Sequence, residues 1–359
     1  MKSFIIGNKE IKLPIIQGGM GVGVSLSGLA SAVANEGGIG VISCAGLGLI
    51  YKQTPGNYLQ NCIWGLKEEI RKAREKTKGV IGLNIMVALS NFADMARTAV
   101  TEKIDIIFAG AGLPLDLPSY LTPGSNTLLA PIVSSARAAK IICDKWKVNY
   151  NYLPDMIVVE GPKAGGHLGF KKDQIDDCNH SLEQLIPDVI TVASQYAGDK
   201  VIPVIAAGGI TTGEDVRRFI ELGATGVQMG SLFVPTHECD ASLAFKQVYV
   251  DSDQKDTMII QSPVGLPGRA FDGDFIRRVN EGREKPKGCP FHCIKTCDYT
   301  KSPYCIIKAL YNAAQGNMKK GYVFAGANAY LTKKISSVKE VMAKIKEEFA
   351  SIPYQETDK

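Results

Sequence analysis

The chain has 359 residues, 45% hydrophobic and 21% charged, with a formal net charge of +5. A chain of this length and composition buries a large globular core. Scattered lysines argue against a nucleic-acid partner, and no apolar run reaches the length needed to span a bilayer. Residues 1–14 lack the basic-then-apolar pattern of a secretory leader. Nine cysteines, an odd number, suit reduced thiols better than a disulfide framework. The expectation is a cytoplasmic protein without a membrane partner.

Strand-like apolar runs alternate with helix-like stretches along the chain. The strands are expected at Leu13–Gln17, Ile39–Ser43, Val80–Met86, Ile104–Ala109, Thr127–Val133, Met156–Glu160, Val201–Ala206 and Gly226–Met229. Between them, helices are expected at Ser27–Asn35, Leu66–Lys76, Asn91–Glu102, Ala136–Trp146, Leu182–Ala197 and Gly213–Leu222. Alternation of this kind implies βα units and a parallel sheet. Eight such strands in about 230 residues favour a closed (β/α)8 TIM barrel of α/β class over an open sheet. After Phe233 the rhythm breaks, and residues 235–310 read as a smaller, mainly helical cap or substrate-side insertion after the eighth strand. Residues 1–234 form the barrel, and residues 311–359 a helical segment that completes it.

Glycines follow the strands, on the rim where barrels bind ligands. Gly18, Gly19 and Met20 follow the first strand, and Gln17 ends it. EGPKAGGHLG at 160–169 follows the sixth, setting Ala164, Gly165 and Gly166 before His167, one of four histidines. Consecutive glycines let main-chain N–H groups approach a ligand, and the imidazole then faces whatever they hold. Ala207, Gly208 and Gly209 follow the seventh strand. Gln228, Met229, Gly230 and Ser231 belong to the eighth and its loop. These two loops occupy the recurrent phosphate position of barrels. Thr211 or Thr212 is placed to cap the next helix, whose amides favour an anion. Asn84 is an amide within an apolar strand, and Ser134 follows the fifth.

PIIQGGMG, GLNIMV, EGPKAGGHLG, PVIAAGGI and GATGVQMGSLF, in this order, resemble the nitronate monooxygenase family, formerly the 2-nitropropane dioxygenases. That family includes flavin-dependent enoyl-acyl-carrier-protein reductases. The likeness extends to GYVFAGANAY at 321–330. It implies non-covalent FMN at the strand carboxyl ends, with the phosphate at Gly208-Gly209 and Gly230-Ser231. It also implies a flavin ring near Gln17–Met20, Asn84, Glu160 and Gly165-Gly166, and His167 at its reactive edge. The implied reaction is oxidation of an alkyl nitronate by O2 to a carbonyl compound and nitrite. His167 would act as a base or, preferably, as a cationic partner. The alternatives are an NAD(P)H-dependent enoyl-thioester reductase and a non-catalytic FMN-binding redox sensor. A homodimer is left open. Ala327 and Asn328 depart from the family's Ala-Gly-Gln segment, and Lys163 stands where an acid is common.

GCPFHCIKTCDYTKSPYC spans 288–305. Cys289, Cys293 and Cys297 at four-residue spacing would share a helical face. With His292 and Cys305 nearby, they raise the question of a metal, but the spacing is neither zinc-ribbon nor ferredoxin. No metal is expected there.

Overall fold

The computed structural model describes residues 1–351. A hairpin of β1 (Phe4–Ile6) and β2 (Lys9–Ile11) comes first. Six parallel strands follow, β3 (Ile15–Gln17), β4 (Gly40–Ser43), β5 (Ile81–Met86), β6 (Ile106–Gly110), β7 (Leu128–Val133) and β8 (Ile157–Glu160). The short β9 (Gly166–His167) lies outside that sheet, which continues with β10 (Val204–Ala207) and β11 (Gly226–Met229). The eight run in the order β3-β11-β10-β8-β7-β6-β5-β4. The ring closes because Gln17 N–H donates to Ile39 O and Ile39 N–H to Ile15 O, both at 2.9 Å. This is an α/β TIM barrel.

Side-chain alternation divides each strand between two cores. Ile16, Val41, Ile106, Phe108, Ala130, Val158 and Ile205 fill the barrel interior, which Ile6 and Ile11 of the hairpin cover at the amino-terminal end. Ile15, Ile42, Leu83, Ile107, Leu129, Ile157, Val159 and Val227 face the helices. These are α1 (Ser27–Asn35), α2 (Leu47–Ile50), α3 (Tyr58–Lys76), α4 (Phe92–Thr101), α5 (Ala136–Tyr150), α6 (Leu182–Ser194) and α7 (Gly213–Glu221). The third helix begins eight residues before the apolar pattern suggests, because the Asn57 side chain accepts the Gln60 N–H and caps it there.

Residues 235–310 hold α8 (Leu243–Asp251), then β12 (Thr257–Gln261) and β13 (Pro267–Phe271), then α9 (Asp274–Asn280) and the start of α10 (Ile306–Ala314). The insertion thus carries a β-hairpin beside its helices. β13 pairs with β9, joining Gly268 to His167 and Arg269 to Gly166. The last helix, α11 (Val338–Ser351), packs between α1 and α7 and fills the eighth helical position. No helix among the described residues is long and apolar enough to cross a membrane.

The cysteine-rich segment corrects the sequence reading: residues 281–305 contain no helix. His292 adopts a φ of +43°, outside the right-handed helical region, and the chain docks instead on the loop after β5. There Ser90 N–H donates to Cys293 O and Lys295 N–H to Ala88 O. Cys289, Cys293 and Cys297 therefore share no helical face. No group of three metal-ligating side chains is arranged to hold an ion among the described residues.

Candidate functional site

Where the interior side chains reach the carboxyl ends of the strands, the packing stops and a cleft opens. It encloses about 1560 Å³, open mouth included. The inward parity that packs Val41, Val158 and Ile205 below carries Ser43, Glu160 and Ala207 into the cleft floor above. Asn84 and Gln228 line it as well, with Gly18, Gly19, Met20 and the outward-facing Met229. An added Cβ at Gly19 would fall 2.3 Å from the Asn84 Cβ, so that turn accepts only glycine.

The loop after β8 brings Ala164, Gly165, Gly166 and His167 to one wall. The loops after β10 and β11 bring Gly208, Gly209, Gly230 and Ser231 to the same cleft. Gly208 and Gly209 adopt φ of +106° and +77°, in the region that disfavours side chains. Gly326 N–H donates to Ser231 Oγ at 2.9 Å, tying the tail to this loop.

Two sequence-expected residues do not reach the cleft. Ile16 points into the barrel, so Gln17 points out. Its side chain is fully buried against β4, with Val41 N–H donating to Oε1 at 3.0 Å. Ser134 lies past the end of β7, and its hydroxyl donates to Gly169 O at 2.9 Å. The helix start is corrected too. Thr212 caps α7, but Asp215 already accepts the Thr211 and Thr212 N–H groups, and Glu348 accepts that of Gly213. The chain's own carboxylates accept the amides expected there to favour an anion.

Sequence reasoning missed the cleft's apolar rim. Phe245 and Tyr249 of α8, Leu310 of α10 and Phe324 of the tail close over it, with Ile132 and Val24 from the barrel. The four-residue spacing of Phe245 and Tyr249 was the one available signal. Tyr249 OH donates to Phe324 O at 2.6 Å. Phe324 in turn packs edge-on against the His167 ring, centroids 5.0 Å apart.

Burial sets the charge state of the two titratable groups. It lowers the His167 pKa to about 4 and raises that of Glu160 to about 7. In the ligand-free cleft, burial therefore favours the neutral imidazole over the cationic partner expected from the resemblance. Glu160 is divided between acid and carboxylate at pH 7. The cleft thus offers a neutral imidazole, an exchangeable carboxyl proton, glycine amides and an apolar rim.

A TIM barrel with such a cleft at its carboxyl rim is the architecture of a small-molecule enzyme, and its family makes it an oxidoreductase. The chain belongs to the nitronate monooxygenase family, whose model matches residues 2–348. Probable nitronate monooxygenases of Staphylococcus saprophyticus and Staphylococcus aureus are 28% and 26% identical to it. They align over 77% and 76% of this chain and 80% and 79% of theirs. Among solved structures, FabK from Thermotoga maritima is 26% identical, with a TM-score of 0.72 over 95% of this chain and 93% of that one. A nitroalkane oxidase from Streptomyces ansochromogenes shares the fold at 20% identity, TM-score 0.72, over 95% and 96% of the two chains.

Proposed function

We propose that the protein binds FMN in this cleft and oxidises alkyl nitronates with O2 to carbonyl compounds and nitrite. The observation that carries this reading is His167 on the wall of a cleft that joins glycine loops to an apolar rim. The residues present fit FMN. At Gly208, Gly209 and Gly230 no side chain separates main-chain N–H groups from the cleft, and with the Ser231 hydroxyl they would hold the phosphate. Met20, Asn84 and Gln228 would border the ring, the two amides offering donors and acceptors to its edge. When bound, the flavin supplies the electron-accepting chemistry, while the protein supplies orientation and electrostatics.

A nitronate is already an anion, so the chain need not remove a proton to start. It must supply a hydrogen-bond donor to the nitronate oxygens and a dry surface for the alkyl group. His167 serves the first need. Phe245, Leu310 and Phe324 serve the second. Gln17 and Ser134 act from behind, one bracing β3 on β4 and the other holding Gly169.

The second reading, an NAD(P)H-dependent enoyl-thioester reductase, is supported by the likeness to FabK across 95% of the chain. Anaerobic stopped-flow on the flavin-loaded protein separates the two. Ethyl or propyl nitronate should bleach the flavin rapidly, with NADH and NADPH inert. Rapid bleaching by a nucleotide and none by nitronate would transfer the assignment to the reductase.

A further inference from the structure

His167 stands on β9, in the loop after β8, yet the atom its ring meets comes from the insertion, 95 residues later. His167 Nε2 and Ser262 Oγ are 2.7 Å apart. Ser262 is 3% exposed. A tight turn holds it in place, with Ser262 N–H donating to Leu266 O at 3.1 Å and Gly265 N–H to Ser262 O at 2.9 Å. The turn lies between β12 and β13, and β13 pairs with His167 itself. Serine and histidine are therefore fixed against each other by one small sheet.

The direction of this hydrogen bond follows from an inventory of protons. A hydroxyl has one proton to give and two lone pairs to offer. Val264 N–H points at Oγ from 3.3 Å and takes one lone pair. Among the described residues, the hydroxyl proton has no acceptor within reach other than His167 Nε2. A buried hydroxyl proton without an acceptor is destabilising, so Oγ donates and Nε2 accepts. The ring proton of the neutral imidazole then resides on Nδ1. Phe324, packed edge-on against the ring, holds it against flipping.

We propose that Ser262 is a positioning residue that locks His167 in the Nδ1–H tautomer, so that the imidazole meets the substrate as a hydrogen-bond donor and not as a base. The substrate role rests on the reading of the cleft given above; the tautomer does not. An anionic nitronate oxygen is the acceptor this donor suits. The insertion thereby does more than cover the cleft: it sets the protonation pattern of a residue on the barrel.

The test is a long-range 1H–15N correlation spectrum of the flavin-loaded, 15N-labelled protein at pH 7, without substrate. The His167 signals are assigned by their loss in His167→Gln. The expected pattern is protonated Nδ1 and bare Nε2. In Ser262→Ala the two tautomers should mix, and kcat for nitronate should fall about fivefold to tenfold, the effect of one hydrogen bond. KM should stay within about twofold, and Ser262→Thr should restore both spectrum and rate. A wild-type spectrum with protonated Nε2 overturns the proposal, even if Ser262→Ala does not fold. So does a Ser262→Ala protein whose tautomer is unchanged, whatever its rate. Because the spectrum is read without substrate, its outcome is separate from that of the nitronate reading.

Discussion

Glu160, at the end of β8, and His167, on β9 seven residues later, enter one cleft, and burial drives both toward their neutral forms, with opposite consequences for stability. The His167 pKa falls from an ordinary 6.5 to about 4. Between those values the unfolded chain binds the proton and the folded one does not. Its contribution to stability is therefore full above pH 6.5 and is lost as the pH falls toward 4. Glu160 rises from 4.5 to about 7. There the folded form keeps the proton, so its contribution is full below pH 4.5 and is lost as the pH rises toward 7. Between pH 4.5 and 6.5 the two slopes cancel. Glu160→Gln removes one of them. The ligand-free variant should gain about 1 kcal/mol per pH unit relative to wild type across that window, measured by urea unfolding. Parallel curves for the two proteins would mean that Glu160 ionises as an exposed carboxylate does.

At the level of elements, helix ends in this barrel are satisfied by distant parts of the chain. Leu26, at the start of α1, makes no side-chain cap. Instead Asp240 accepts the Leu26, Gly28 and Leu29 N–H groups at 2.7, 3.0 and 3.1 Å, across more than 200 residues. These charge-assisted bonds hold the carboxylate at the positive end of the helix dipole. Asp240→Ala leaves three amides without that acceptor, those of Leu26 and Leu29 on buried residues, and should lower stability by ~2–4 kcal/mol. Denaturant unfolding checks the value, and a loss below about 0.5 kcal/mol would mean that water replaces the carboxylate. Glu348 on α11 does the same for Gly213 on α7. Both carboxylates fasten sequence-distant segments to the helical ring.

For the molecule as a whole, residues 235–310 keep a small cluster around Phe275, Tyr304 and the tail's Tyr322, but they also enter the core that backs the barrel strands. Cys239, Phe245, Tyr249, Phe271, Ile294 and Ile307 belong to the same buried cluster as the helix-facing side chains of the strands. A cluster that crosses the boundary at residue 235 ties the two together on unfolding. Calorimetry of the ligand-free protein should show one transition, with calorimetric and van't Hoff enthalpies in agreement. A separate early transition would mark the insertion as an independent unit.

The eight strands and their order around the barrel are legible in the sequence because a parallel strand is apolar on both faces and ends in glycine where the rim begins. The same rule makes Gly208-Gly209, Gly230-Ser231 and the His167 loop visible as rim. A three-residue strand, however, gives too short a pattern to fix parity, so Gln17 is not visibly outward until Ile39 closes the ring onto β3 and Val41 N–H donates to the Gln17 side chain. Periodic cysteines suggest a helix to a local reading, whereas docking of Cys293–Lys295 on the β5 loop makes that segment extended. Ser262 carries no local signal at all. Its role arises when a hairpin 95 residues away adds itself to His167, and the Asp240 cap, the Phe324 contact and the neutral imidazole arise in the same way. Local backbone preference and hydrophobic period determine which elements exist. Proton positions, charge states and the walls of the cleft depend on burial by residues far apart in the chain, and only the tertiary structure decides those.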